Sequence, residues 1–468
     1  PPQAAPTLDR KNAFRTERGR TGKVVPHRAR ADRETRGRGG GRGGEGAPPG
    51  APRKRGARGG GMAPGGGALA GRLAAAGEPL GACGTPALAV ELGAFEANCR
   101  AAAARVGAAA ARGPVGVRGA VGVRPHVKAH KCAELARAQA SALGALFAGV
   151  GCQTVREAEV MAAAGGGVRD VLVTNQVVEA RKVRRLAALA RTQEPGGLAL
   201  GVCVDSLENA RALSAAVGAG GPPLGVVVEC NVGQNRCGVE TAADCVALAR
   251  EVENLVGLEY RGIQAYHGAL QHTRTLKDRG GAIERVHDKT RTILAALKAA
   301  GLGAEVVTGG GTGSFEADAT SGIYTEVQPG SFFFGDVDYG RNEWEGGGLP
   351  WEQSMFVVTT VISRSPARRS VVVDAGLKAI SYDSGPPSIF EHEEWEVTCG
   401  GCEHSVVLVP EGVALPEVGS RLYLVPGHVD PTFNMHDALV CVRRDEGKPL
   451  EAAPVEGVFP IEARGAGF

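Results

Sequence analysis

With 468 residues and 43% hydrophobic composition, the chain is long enough to bury at least one large core and, at roughly 150 residues per domain, to form two or three domains. Residues 1–60 carry 16 Lys or Arg against 5 Asp or Glu, a local +11 inside a formal net charge of +3, so the remaining 408 residues stand at −8 and offer no nucleic-acid surface. No run of about 18 apolar residues is present, which excludes a membrane-spanning helix, and eleven scattered cysteines without the spacing of a secreted disulfide framework point to a reducing, intracellular compartment.

Residues 1–78 are rich in Arg, Gly, Pro and Ala, as in TERGRTGKVVPHRARADRETRGRGGGRGG, and hold almost no periodic apolar residues to offset the entropy of ordering. Disorder is expected there. Three readings stand side by side: an organelle transit peptide, an RGG-type RNA-contacting tail, and translated sequence ahead of Met62. The compartment follows that choice, cytoplasm or an organelle, and no function is argued from the segment.

From residue 85 onward, short β-branched runs alternate with stretches of helical period. The runs are VGVRPHV, ALFAGVG, DVLVTN, LALGVCV, LGVVVECN, YRGIQAYHG, AEVVTGGG and TEVQPGSFFFG, and between them lie amphipathic segments such as KCAELARAQASAL, SLENARALSAAV and AADCVALAREVENL. Eight strands with intervening helices predict an α/β fold, a TIM-like (β/α)8 barrel over residues 79–345. After residue 350 the pattern becomes FVVTTVISR, SVVVDAGLKAI, EEWEVT, HSVVLVP and RLYLVPGHVD, with no helix of any length between them, which predicts a mostly antiparallel β domain over 346–468. TPALAVEL at 85–92 fits either unit.

In such a barrel the chemistry sits at the C-terminal ends of the strands. Lys128 follows the first strand, Arg236 the fifth, His267 ends the sixth, and a glycine run follows the seventh. Lys128, in RPHVKAHK, would be costly to bury as a cation, so its pKa should fall and its amine become a nucleophile suited to Schiff-base chemistry; alternatively it is a snorkelling lysine in a segment made basic by Arg124 and Lys131. TGGGTGSF at 308–315 offers bare backbone N–H groups and hydroxyls to an anion at the usual phosphate position of a barrel, or is only a turn. In PGHVDPTFNMHD, alternation along an extended chain puts His428 and Asp430 on one side, where they share a cation or are ordinary surface residues. Cys399 and Cys402 in CGGC read as a turn in preference to a metal or redox pair, because no second CxxC exists. His126 and His130 read as structural residues or as supports behind the site in preference to catalytic ones, and Asp374 either orients a ligand or serves a turn.

RPHVKAHK, VGQNRCGV, TGGGTGSF, TEVQPGSFFFGD, DAGLKAIS and PGHVDPT, in this order over about residues 80–465, resemble the D-threonine aldolase and D-serine dehydratase family of alanine-racemase-like, fold-type III enzymes that use pyridoxal 5'-phosphate (PLP). The resemblance implies that Lys128 anchors PLP as a Schiff base, that Arg236 bonds its phenolic oxygen, and that Gly310, Gly311, Thr312 and Gly313 hold its phosphate. Tyr266 and His267 match a pair near the ring; neighbouring strand residues face opposite ways, so both serve only if the strand unwinds there, and the catalytic base is His267 or a metal-bound water. The family's aldolases carry His-x-Asp where its dehydratases carry His-x-Cys, so His428 and Asp430 imply a metal site accepting Mg²⁺, Mn²⁺ or similar ions, with Zn²⁺ also possible. The implied activity is retro-aldol cleavage of small D-3-hydroxy-amino acids to glycine and an aldehyde by a homodimer; the alternatives are D-serine or D-3-hydroxyaspartate dehydration on the same residues and, more remotely, a non-enzymatic PLP-binding protein.

Overall fold

The computed structural model describes residues 73–112, 120–193 and 197–467; the expected disorder over residues 1–72 falls outside the described residues. Residues 73–78, which composition assigns to that same segment, are ordered. Leu73 and Ala74 join an apolar cluster with Leu450 and Val455, and Gly77 N–H donates to Val455 O while Val455 N–H donates to Glu78 O, both at 2.8 Å. Two apolar side chains and a short backbone ladder suffice to order a stretch whose average composition is that of a tail.

The first strand, β1 (Ala87–Glu91), leads into the long helix α1 (Leu92–Arg112). All eight expected barrel strands follow: β2 (Gly122–Val123), β3 (Val150–Cys152), β4 (Asp170–Gln176), β5 (Ala199–Val204), β6 (Leu224–Glu229), β7 (Leu258–Ala265), β8 (Val306–Gly309) and β9 (Glu326–Val327). They are parallel in the order β2-β9-β8-β7-β6-β5-β4-β3, and parallel bridges Val123↔Phe147 and His126↔Gly151 join the two ends of that sheet into a ring. Helices α2 (Ala133–Leu143), α3 (Val155–Ala164), α4 (Ala180–Arg191), α5 (Leu207–Val217), α6 (Ala242–Glu253), α7 (Leu276–Ala299) and α8 (Phe315–Thr320) make the crossovers. Their starts are written locally: Thr154 caps α3 by accepting from Glu157 N–H, and Thr241 with Asp244 forms a reciprocal capping box on α6. Every residue of β6 is buried, as expected of a parallel strand covered on one face by helices and on the other by the barrel interior.

After a short α9 (Val337–Gly340) the chain builds the second sheet from β10 (Met355–Ser365), β11 (Ser370–Val373), β12 (Ser388–Ile389), β13 (Glu396–Cys399), β14 (Ser405–Leu408), β15 (Arg421–Val425), β16 (Ala438–Val442) and β17 (Val455–Pro460). β1 joins this sheet, antiparallel to β10 and parallel to β16, which settles the position of TPALAVEL. All other pairings in it are antiparallel. CGGC forms the turn between β13 and β14.

One helix does interrupt the β domain, contrary to the sequence reading: α10 (Val429–Met435) begins directly after His428. Its third residue is Pro431, tolerated in a first turn because the missing N–H would have no intrahelical acceptor there. His428 keeps extended backbone (φ −147°, ψ 125°) while Asp430 lies in the first helical turn. The aromatic run after β9 fastens this helix to the barrel: Phe334 packs on Phe95 of α1 at 5.2 Å and on Phe433 of α10 at 5.0 Å between ring centroids. Hydrogen bonds from Val337 N–H to Pro426 O and from Val429 N–H to Asp336 Oδ2 add to the join. Residues far apart in sequence thus share the barrel mouth. No helix among the described residues is long and apolar enough to cross a membrane.

Candidate active site

A cavity of about 350 Å³ opens at the C-terminal ends of the barrel strands and is lined from both domains. Lys128 enters it from a single 3₁₀ turn, Val127–Ala129, placed directly after β2. That turn is held by His126, whose Nδ1 accepts from Lys128 N–H and whose Nε2 bonds Thr174 Oγ1 at 2.8 Å. Burial drives the His126 imidazole down to about 3 and that of His130 down to about 4; His126 also lines the cavity, while His130 bonds Gln139.

The Lys128 ammonium forms an ion pair with Asp430 across the domain junction. Here the sequence reading is corrected. Burial does press the Lys128 pKa downward, but the Asp430 carboxylate, with smaller contributions from Tyr266 and Glu157, outweighs it and leaves the pKa above its ordinary value. The same pairing, helped by His428, holds the Asp430 carboxyl below its usual range despite burial. A sequence gives the burial of one lysine but not a carboxylate 302 positions away.

Of the other predicted residues, Arg236, Tyr266, Gly311, Thr312, His428 and Asp430 line the cavity with Lys128. The Arg236 guanidinium lies 5.9 Å from the Tyr266 ring centroid and 3.9 Å from Glu229. Thr312 Oγ1 accepts from Phe332 N–H at 3.1 Å, which leaves its own O–H to donate. Gly313 faces the outer side of the loop, its N–H donating to Gln271 Oε1 at 2.8 Å, and Gly310 backs onto Asp318. Gly311 has no room for a side chain, since a Cβ there would come within 2.7 Å of Gln271 Oε1. A second cavity of about 660 Å³ lies behind the loop, between α7 and α8, and shares Thr312 with the first.

His267 is not brought into the cavity. Strand alternation persists past the end of β7, so Tyr266 points inward and His267 outward, toward a crevice with Asp318 and Tyr324. Among the imidazoles that do line the cavity with Lys128, beside His126 and His428, is His272, on the 3₁₀ turn Ala269–His272. Its Nδ1 lies 2.5 Å from Asp338 Oδ2, and its ring packs on Tyr339 at 4.8 Å. Arg274 holds Asp338 from the other side, Nη2 to Oδ1 at 2.5 Å. Partial desolvation at the cavity wall, where the side chain stays 41% exposed, keeps the His272 pKa below its ordinary value, with Asp338 acting in the opposite direction. His272 sits in QHTRTL, which matches no motif; only its position just past the sixth strand could have drawn attention to it.

At the rim, His428 Nδ1–H donates to Asp383 Oδ2 at 2.8 Å, so its Nε2 remains available. Asp374 turns away from the site and bonds Thr85, Thr359 and Thr360.

Residues 90–338 match the family model "Alanine racemase, N-terminal domain", and residues 354–442 match the "Putative serine dehydratase domain". A D-threonine aldolase of Arthrobacter sp is 43% identical over 83% of this chain and 95% of its own length. A 3-hydroxy-D-aspartate aldolase of Paracoccus denitrificans (strain Pd 1222) is 41% identical over 82% and 93%. The crystal structure of a D-threonine aldolase from Filomicrobium marinum superposes with a TM-score of 0.76 at 41% identity, covering 84% of this chain and all of that one. Identity of this size along both domains means that the chain belongs to the D-threonine aldolase family of alanine-racemase-like lyases.

Proposed function

We propose that the protein is a PLP- and divalent-metal-dependent aldolase that cleaves small D-3-hydroxy-amino acids such as D-threonine to glycine and an aldehyde. The observation that carries this reading is the convergence of Lys128, His272, His428 and Asp430 on one cavity of about 350 Å³, a volume within the range of small-ligand sites.

The residues fit both groups. A lysine amine at one side of the cavity and the Thr312 hydroxyl at another suit a cofactor with an aldehyde and a phosphate, while the Gly311 N–H already donates to Ser314 Oγ at 3.2 Å. No cluster of three or more His, Cys, Asp or Glu side chains able to hold a metal occurs among the described residues, so a cation here would have one imidazole and one carboxylate with its other positions open to water and substrate. That donor set suits a hard divalent ion in a catalytic site.

When bound, PLP supplies the sink for the electron pair of the broken Cα–Cβ bond and a divalent ion supplies the Lewis acid that acidifies the β-hydroxyl. Lys128 would hold the cofactor, and its amine would then leave the ion pair with Asp430. Tyr266 and Arg236, which line the same cavity, would hold the ring and its phenolic oxygen. His272, whose partly desolvated imidazole has its pKa below the ordinary value and whose Nδ1 lies 2.5 Å from Asp338 Oδ2, presents Nε2 to the cavity and takes the proton of the β-hydroxyl. As that O–H bond breaks, the carbon–oxygen bond becomes the aldehyde carbonyl and Cβ departs from Cα.

Asp430 favours cleavage over dehydration, since within this family the resemblance associates His-x-Cys with the dehydratases. The test is incubation with D-threonine, PLP and Mn²⁺, assaying acetaldehyde with glycine separately from 2-oxobutanoate with ammonia. Acetaldehyde and glycine in equal amounts are expected; the oxo acid alone would overturn the assignment.

A further inference from the structure

Asp383, whose carboxylate bonds His428 at the rim of the cavity, has no part in the chemistry above. It lies on the segment that connects β11 to β12. We propose that Asp383 is a positioning residue that fixes the tautomer and direction of His428 for a divalent cation. The inference rests on the reading of His428 and Asp430 as the metal pair.

The argument begins at the imidazole. His428 Nδ1–H donates to Asp383 Oδ2 at 2.8 Å, so the proton is on Nδ1 and the lone pair on Nε2. An imidazole held in this way by a carboxylate is a better and better-aimed ligand, because its tautomer is settled before the ion arrives and the ring cannot rotate freely.

Asp383 is itself held. Ser381 Oγ–H donates to its Oδ1 at 2.6 Å, so each carboxylate oxygen has a partner. The segment is also stitched to the helix that follows His428. Ser381 N–H donates to Thr432 Oγ1, whose O–H donates to His428 O at 2.8 Å, and His436 Nε2–H donates to Ala379 O at 2.7 Å. Gly427, just before His428, lies so close to the segment that a Cβ would come within 2.4 Å of Gly385 O. The carboxylate and the imidazole are therefore parts of one local unit. On its other flank the segment is pinned to the CGGC turn by Leu377 N–H to Gly401 O and Lys378 N–H to Cys402 O.

An ordinary surface ion pair makes a different forecast. The Asp383 side chain is 50% exposed, and a pair this open contributes little to folding. A purely structural contact would leave metal affinity alone, whereas a positioning carboxylate changes metal affinity far more than stability. Loss of a carboxylate behind a metal-bound imidazole weakens binding by about 10- to 100-fold.

The experiment measures Mn²⁺ dissociation constants of the PLP-loaded enzyme without substrate, from the electron paramagnetic resonance signal of free Mn²⁺, for the wild type, H428A, D383N, D383A and S381A, with thermal midpoints alongside. The wild type should bind one Mn²⁺ that H428A loses. D383A should bind it about 10- to 100-fold more weakly, D383N and S381A should fall between D383A and the wild type, and the midpoints should barely move. Wild-type affinity in D383A and D383N would overturn the role of Asp383 while leaving the metal pair standing. Failure of the wild type to bind, or unchanged binding in H428A, would overturn the metal pair and this inference with it.

Discussion

The Asp338→Asn substitution probes the assignment of His272 as the base. In the native protein Asp338 is 8% exposed, has His272 Nδ1 at 2.5 Å, receives Arg274 Nη2–H at 2.5 Å, and has Arg341 at 3.7 Å. Asparagine keeps the shape but replaces one acceptor by an N–H₂ donor and removes the charge. If that donor faces His272, the imidazole turns to the other tautomer and presents Nε2–H to the cavity, where no lone pair is left to accept a proton. A positioned general base contributes about 10²- to 10⁴-fold, so kcat/KM should fall by at least about 10²-fold, close to 2.7 kcal/mol at 1.36 kcal/mol per decade. Stability should fall much less. The lost charge-assisted bond to Arg274 is worth about 1.5–3 kcal/mol when buried, but the Arg274 side chain is 41% exposed, and solvent screening brings the loss to about 1 kcal/mol. The pH profile supplies an independent sign. His272 acts only when neutral, so the rate drops as pH falls through its pKa, which burial places below the usual value of about 6.5. Asp338 raises that pKa, so in the variant the acid limb of the residual activity should move to lower pH. The assay is acetaldehyde release from D-threonine between about pH 5 and 9, with cofactor content and thermal midpoint measured on the same preparations. A kcat/KM within about threefold of the wild type and an unmoved acid limb would refute the role of His272.

Other outcomes follow from the same geometry. His267→Ala should change kcat/KM by less than about threefold and His272→Ala by about 10²-fold or more; the reverse order would return the base to His267. Lys128→Ala should abolish the visible absorbance of covalently bound cofactor, and a spectrum like that of the wild type would show that the anchor lies elsewhere. Arg124, fully buried inside the barrel, donates twice to Glu326 at 2.6 and 2.8 Å and once to Asp170 at 2.7 Å. Arg124→Leu strands a buried carboxylate and should cost about 3–5 kcal/mol in urea unfolding, while adding Glu326→Leu should restore part of the loss; no recovery in the double variant would argue against this account.

Much of the fold was legible because its signals are local. Each barrel strand is a short β-branched run, each crossover helix repeats Ala or Leu at helical spacing, and the glycine loop and Lys128 occupy fixed places relative to the strands they follow. The sequence placed the mouth of the barrel correctly and put most of the candidate residues there. It misjudged α10, because PGHVDP reads as extended and the helix that starts at Val429 is stabilised by the packing of Phe433 against Phe334 more than by local propensity. His428 and Asp430 still face one cavity, for a different reason from the alternation that suggested it.

What tertiary structure alone decided is the electrical and protonation state of the site. The Lys128 segment describes a buried lysine whose pKa should fall; the carboxylate of Asp430, brought over from the second domain, reverses that direction. Tyr266 and His267 are adjacent, and only the strand's continuing alternation chooses between them. His272 becomes a candidate base because Asp338, 66 residues later, lies against its Nδ1, and His428 is oriented by Asp383 in place of the better-marked Asp374. Local sequence carries the period of each element and the residues at its ends, since these follow from backbone geometry and side-chain burial. Charge pairing across elements depends on distances of a few ångströms between residues tens to hundreds of positions apart, and only the packing of the β domain onto the barrel mouth creates them.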